Sequence, residues 1–300
     1  MKKISFVSVA LSAAITGASL SACGSLLRTE NAGALTTKQY DFAGFNSVEI
    51  GSAFTVDISQ ADNYSVEITS TENVIKYIRV VKEGNTLKIG LQGLHFFSGN
   101  SVLEAGITMP ELVGLDMSGA TKGTVEGFRS VQDLKARVSG ASSLDLDSES
   151  GSFTCDISGS SAVSARVKST TAAITQSGAS SVTMDMETGN FLCALSGASK
   201  ATGSLKATST TIGLDGGSDV RLTGSGGNAK ITGSGSSDAA LKGFSCGDAD
   251  VDLSGASHAD LDVSGLLNVS LGGSSVLTYG GNPRMGNRMD ITGGSKIELR

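Results

Sequence analysis

From residue 139 onward apolar and polar residues alternate with a period of two, and the alternation restarts about every nineteen residues. Each restart follows a short Ser-Gly-Ala-Ser motif. Five places after the first motif residue stand Leu144, Val163, Val182, Ala201, Val220, Ala239 and Ala259 in successive copies. Seven places after it stand Leu146, Ala165, Met184, Gly203, Leu222, Leu241 and Leu261. Between these columns lie Asp145, Ser164, Thr183, Arg221 and Asp260. Such alternation marks a strand with one buried face. A second alternation precedes each new motif, as in Phe153-Cys155-Ile157, Ala172-Ile174-Gln176 and Phe191-Cys193-Leu195. Helical spacing is absent from this region.

The motif begins at Ser118, Ser139, Ser158, Ser177, Ser196, Asp215, Ser234 and Ser254, with looser copies from Gly272 and Thr292. Intervals between starts run from 18 to 21 residues, and five consecutive ones are 19. A structureless Gly/Ser-rich chain would not keep its apolar residues in such register. Two short strands and a glycine corner per repeat predict one coil of a parallel β-helix. About ten coils stacked at about 4.8 Å make a rod roughly 45–50 Å long. The hand is expected to be right, as in nearly all parallel crossovers. Glycine suits a corner that needs positive φ or close backbone approach. The Ser or Thr residues after it are expected to form hydroxyl ladders along the rod.

Residues 39–117 lack the regular motif and carry larger apolar side chains. Val48-Ile50, Phe54-Val56-Ile58 and Val66-Ile68 read as strands. Val80-Val81 and Leu87-Ile89 flank a turn at Glu83-Gly84-Asn85, and Glu72 to Ile78 reads as a short helix. A solenoid end exposes strand edges, so this segment is assigned as the N-terminal cap merging into the first coils. The runs Tyr40-Asp41-Phe42-Ala43-Gly44-Phe45-Asn46-Ser47-Val48-Glu49-Ile50, Asn85-Thr86-Leu87-Lys88-Ile89 and Ile107-Thr108-Met109-Pro110-Glu111-Leu112 precede the Ser-Gly-Ala repeats. With those repeats, the chain over about residues 40–298 resembles the putative auto-transporter adhesin, head GIN domain family of Bacteroidetes envelope proteins. The resemblance implies a right-handed β-helix and an adhesive role, and it brings no catalytic residues. A lipobox-like start and no membrane β-barrel translocator pattern in the sequence are expected to set this chain apart from an autotransporter.

The first 22 residues have the parts of a secretory signal: Lys2 and Lys3, then an uncharged stretch from Ile4 to Leu20. Leu20-Ser21-Ala22-Cys23 is similar to a lipobox, with cleavage expected before Cys23 and lipid on its thiol. The competing readings are an ordinary signal peptide with a chance cysteine and a transmembrane helix, for which the stretch is short and rich in Ser and Gly. Two or more acyl chains anchor stably. The expected organisation is therefore residues 1–22 as signal, 23–38 as lipidated tether, 39–117 as cap and first coils, and 118–300 as repeat array of the same domain. The expected location is the cell envelope, with Gly24 compatible with the outer membrane and the face of that membrane open.

Without residues 1–22 the chain has 21 basic and 29 acidic residues, a net charge of −8. That acidity argues against nucleic acid as a partner. Membrane contact is expected through the lipid, and glycans or envelope proteins are the candidate ligands, their binding residues unassigned. Cys155 and Cys193 hold the same coil position with Ile174 between them, about 9–10 Å apart and too far for a disulfide. They and Cys246 read as core residues. His95 and His258 have no metal-ligand spacing. Asp248, Asp250 and Asp252 alternate, with Asp260 and Asp262 one strand later, so several are expected to project outward together. Such carboxylates could serve a polysaccharide hydrolase or lyase or bind calcium, although the Gly-Gly-x-Gly-x-Asp calcium repeat is absent. The Gly-rich corners are not phosphate loops, since no Gly-Lys-Ser/Thr follows them. There is no Trp, and only Phe96, Phe97 and Tyr279 are placed as exposed aromatic platforms for sugar.

The favoured reading is a non-enzymatic, envelope-anchored binding or scaffold protein, adhesive in role, with no cofactor or metal. The alternative is a polysaccharide-active enzyme on the same scaffold, which would interrupt the repeat with long loops. Head-to-tail association through coil ends is a third possibility.

Overall fold

The computed structural model describes residues 33–93 and 101–300. The expected signal segment, Cys23, most of the stretch expected as tether, His95, Phe96 and Phe97 lie outside the described residues. The protein is an all-β solenoid of about ten stacked turns. Its N-terminal strands are β1 (Leu35–Gln39), β2 (Ser47–Ile50), β3 (Thr55–Gln60) and β4 (Ser65–Thr71), then, after helix α1 (Glu72–Ile75), β5 (Ile78–Glu83), β6 (Thr86–Leu91) and β7 (Leu103–Met109). The short strands β8 (Gly114–Met117), β9 (Lys122–Arg129) and β10 (Leu134–Val138) lead into the regular array.

Five strands of fifteen residues form the centre: β11 (Ser143–Ile157), β12 (Ala162–Gln176), β13 (Ser181–Leu195), β14 (Lys200–Leu214) and β15 (Asp219–Gly233). Each pairs in parallel with the next at a constant offset of nineteen, Leu144 with Val163, Val163 with Val182 and Val182 with Ala201. The alternation read from the sequence is thus the burial pattern, and Leu144, Leu146, Val163, Ala165, Val182 and Met184 are all core residues. Within β11 the buried positions run Leu144, Leu146, Ser148 and Ser150, then change phase to Phe153, Cys155 and Ile157. The strand therefore bends near Gly151, and both halves face one interior.

The motif closes each coil. Its glycine has φ between +68° and +78° at all ten copies, a region costly for residues with a Cβ. The neighbouring coil also lies very close: a Cβ on Gly178 would stand 2.7 Å from the carbonyl oxygen of Gly159. Ala179 N–H donates to that same carbonyl at 2.9 Å, so the parallel ladder runs through the corner without a break. The fourth motif residue turns inward and is buried, from Thr121 and Ser142 through Ser257 and Ser275. In five copies its hydroxyl donates to the first motif residue's carbonyl, as in Ser142 to Ser139 at 2.8 Å and Ser199 to Ser196 at 2.6 Å, whereas the hydroxyls of Ser161, Ser218 and Ser295 find no partner among the described residues. Ser237 instead donates to the Ser257 hydroxyl in the next coil at 3.2 Å. The expected hydroxyl ladder exists in part, because bonding within the corner competes with bonding between coils.

The N-terminal cap is not a simple prefix to the stack. Strand β2 pairs in parallel with β6 on one side and β8 on the other, and β3 likewise with β7 and β9. The first coil in sequence is therefore second in space. Beyond it the pairing turns antiparallel, with β5 on β6, β4 on β7 and β1 on β4. The β5–β6 hairpin turns at Gly84, φ +60°, as expected from Glu83-Gly84-Asn85. Two expectations need correction. The helix stops at Ile75, because Ile78 joins β5 and buries its side chain. The stretch expected as tether, residues 23–38, overlaps a strand, because Leu35–Gln39 is held against β4.

At the other end the array continues through β16 (Asp238–Leu253), β17 (His258–Val263), β18 (Leu266–Leu271), β19 (Val276–Gly281), β20 (Arg284–Ile291) and β21 (Lys296–Leu299). Here register shifts appear, between β15 and β16, β16 and β17, and β18 and β20.

The corner geometry sets an expected order of stability. Gly44 has φ +68° and open space, with nothing within 4 Å of the point a Cβ would occupy, whereas Gly178 combines φ +77° with the close Gly159 carbonyl. Gly44→Ala is expected to cost about 1 kcal/mol and Gly178→Ala about 2–4 kcal/mol. Urea unfolding followed by circular dichroism checks this, and equal costs at the two positions would contradict the stacking account.

Candidate functional site

The acidic residues singled out in the sequence do not form one cluster. Asp250 and Asp252 lie in the half of β16 that pairs with β18, while Asp260 and Asp262 lie on β17, beyond the corner that begins at Ser254. The corner divides them between two columns of strands, which corrects the expectation that they project together. Each pair is held by an arginine from the last coil. Arg288 on β20 contacts Asp250 and lies 4.0 Å from Asp252. Arg300 contacts Asp262 and lies 2.8 Å from Asp260. Both arginines reach past an intervening strand. On β19, Gly280 makes that passage open, since a Cβ there would collide with the Asp262 carboxylate and the Arg300 guanidinium. Asp248 accepts a hydrogen bond from Leu266 N–H at 2.7 Å. Among the described residues no group of three or more His, Cys, Asp or Glu stands close enough to hold a metal ion.

The densest display of charge lies elsewhere, along the bend of the central strands. Asp147, Arg166, Asp185 and Ser204 occupy one outward column at successive coils, and Glu149, Lys168, Glu187 and Lys206 the next. Signs alternate up the second column, and up the first as far as Asp185, above which Ser204 is neutral. Arg166 lies 3.5 Å from Asp147, Lys206 3.1 Å from Glu187, and Arg129 joins from below at 3.0 Å from Asp147 and 3.4 Å from Glu149. Ser204 donates to Asp185 at 2.5 Å. These side chains line a shallow groove of about 460 Å³. Exposed pairs of this kind contribute little stability each, about 0.2–1 kcal/mol. Their effect is to make one strip of the rod strongly polar with no net sign. The sequence carried the signal, at eight and ten places after each motif start, but only a comparison of columns across coils reveals it.

Two overlapping segments, residues 44–186 and 174–283, match the model of the family described as putative auto-transporter adhesin, head GIN domain. The chain belongs to this family. The overlap follows from the repeat, since a family unit can be laid on more than one stretch of near-identical coils. Among solved structures, the chain is similar to a putative adhesin from Parabacteroides distasonis, at 16% identity over 89% of this chain and 98% of that one, TM-score 0.50. A putative lipid binding protein from the same organism is similar at 16% identity, over 89% and 97%, TM-score 0.50. At that identity the likeness is one of fold. No curated protein matches the chain.

In this member of the head GIN domain family the remaining candidates are structural. Cys155 pairs with Ile174, and Ile174 with Cys193, so the two thiols occupy one core column with a side chain between them. Both are fully buried, and Cys246 nearly so; all three are free thiols. His258 Nδ1 lies 2.8 Å from Asp238, which Arg221 also approaches at 3.8 Å, so this histidine belongs to a surface ion network. Tyr279 is half-buried and packed against the core rather than offered as a platform. The exposed large apolar residues among those described include no aromatic. None of the described helices is long and apolar enough to cross a membrane.

Two outcomes are expected. Burial pushes the thiols of Cys155 and Cys193 up to about 12 and that of Cys246 to about 11. At pH 8 the folded protein is expected to resist iodoacetamide, with all three cysteines reacting only after denaturation. Because these groups are protonated in the folded state and ionise near 9 when unfolded, stability is expected to fall as pH rises from about 9 toward 12. Mass spectrometry of alkylated protein reads the first point and thermal unfolding against pH the second. Separately, Arg300→Met is expected to cost about 1 kcal/mol and to speed amide exchange in Lys296–Leu299, while exchange in β13 stays unchanged.

Proposed function

We propose that the protein is a non-enzymatic binding or scaffold protein of the bacterial cell envelope, anchored by lipid at Cys23 and adhesive in role. The observation that carries this reading is the unbroken nineteen-residue register from β11 to β15. Five successive coils carry no inserted loop, so no walled cleft is built over the strand faces where a polymer could be held for cleavage. Small molecules and polymers are usually bound for chemistry in concave sites. The engagement of Asp250, Asp252, Asp260 and Asp262 by arginine supports the same reading. The family's description as an adhesin supports it as well. A rigid rod with long polar columns suits repeated weak contacts with an extended partner, whose combined strength exceeds that of any one contact. Glycans of the envelope or of a host surface, and envelope proteins, are the partners proposed. The outer membrane is the proposed site of anchoring.

A binding screen of the chain without its first 23 residues against envelope polysaccharides and host glycans, with product analysis in parallel, tests the proposal. Saturable binding with no bond cleavage is the expected result, unchanged in Asp250→Asn and Asp260→Asn. Release of oligosaccharides that either substitution abolishes would overturn it in favour of a polysaccharide-active enzyme.

A further inference from the structure

The two ends of the described array differ in how they treat their charges and apolar side chains. At the N-terminal end three of the outermost hairpin's charges pair within the chain, Arg79 with Glu83 at 4.0 Å and Glu83 with Lys88 at 3.0 Å, and only Lys82 of this hairpin takes part in no ion pair among the described residues. At the other end the outer edges of β20 and β21 pair with no strand among the described residues. The same coil exposes Met285, Met289, Ile291 and Leu299, four of the seven exposed large apolar residues among those described. Lys296, Glu298 and Asp290 take part in no ion pair among the described residues, although other charges nearby are bridged.

The backbone of β21 limits what can pair with it. Lys296 N–H and Arg300 N–H donate inward, to Ser275 and Tyr279. In a strand successive residues direct their peptide groups to opposite edges, so Ile297 and Leu299 direct theirs to the open edge. An antiparallel partner must therefore form its hydrogen-bonded pairs at those two positions. If the partner is the same strand of a second copy, related by a two-fold axis, the axis can pass through Ile297. Ile297 then meets its own counterpart in a hydrogen-bonded pair. Lys296 meets Glu298 of the second copy, and Glu298 meets that copy's Lys296, both in the closer, non-hydrogen-bonded pairs. Centring on Glu298 instead would set Glu298 against itself and Lys296 against Arg300. Strand β20 repeats the arrangement as Arg288-Met289-Asp290.

We propose that this coil end is a self-complementary interface, and that two copies join tail to tail through antiparallel pairing of β21, with β20 alongside. A two-fold contact of this kind closes on itself and stops at a dimer, whereas head-to-tail stacking would propagate into a filament. It covers the exposed apolar row and gives Lys296 and Glu298 the opposite charges they lack.

The test uses the full chain in detergent matched to the solvent density, with sedimentation as the readout. The native chain is expected to dimerise at micromolar concentration. Lys296→Glu and Glu298→Lys each turn two attractive pairs into repulsive ones and are expected to weaken the dimer about tenfold or more. The double variant, Lys296→Glu with Glu298→Lys, restores both pairs in swapped form and is expected to recover the dimer. Circular dichroism and thermal unfolding of each single variant, expected to match the native chain, show separately that the singles fold. A native monomer up to about 100 µM, species that grow beyond the dimer, singles that leave the dimer unchanged, or a double variant that fails to recover it would each overturn the proposal.

Discussion

Every coil of this protein is held by the backbone hydrogen bonds it makes to the coil before and after it, and those bonds require that equivalent residues sit directly above one another. The glycine corner is what permits this. At Gly178 the chain turns with positive φ while lying against the Gly159 carbonyl, so the ladder passes through the turn instead of ending at it. A Cβ at that point would push the coils apart, and the strands on both sides of the corner would lose their alignment. The interior follows from the same constraint. Stacked residues must fit one another, which is why one core column places Cys155 and Cys193 on either side of Ile174.

The outer surface inherits this regularity. A side chain pointing outward has its nearest neighbours nineteen residues away in both directions, so charge is organised in columns along the rod rather than in pockets. Arg166 pairs with Asp147 in the coil before it, and Asp185 accepts a hydrogen bond from Ser204 in the coil after it. Like charges stacked in such a column would repel at every step. The polar strip is thus compatible with a long stack, and it offers an extended partner many similar contacts instead of a single deep one.

The fold was legible in the sequence because its repeat is local and its alternation simple: the columns through Leu144 and Leu146 are both the sequence pattern and the core. The cap was legible only as strands. Placing β2 between β6 and β8 depends on contacts far apart in the chain, which no local pattern records. The helix and tether boundaries slipped for a related reason, since Ile78 and Leu35 are claimed by strand partners, Leu91 and Thr71, distant in sequence. The aspartates were visible as residues but not as a site. Their separation by a corner and their capture by Arg288 and Arg300 depend on side chains 38 to 40 residues away.

The position of β2 and β3 also bears on how the chain is assembled. This first coil is flanked on both sides, by β6 and β7 toward the cap and by β8 and β9 toward the array. Once residues through β9 have emerged, one flank is closed by antiparallel strands and only the other can accept more chain. From there each coil arrives in the order in which it is made and finds a finished edge waiting about nineteen residues upstream. Growth is then a one-way process with short loops to close at every step. A topology dominated by parallel pairing, which would be slow to search if strands could meet in any order, is reduced to a sequence of nearest-neighbour additions.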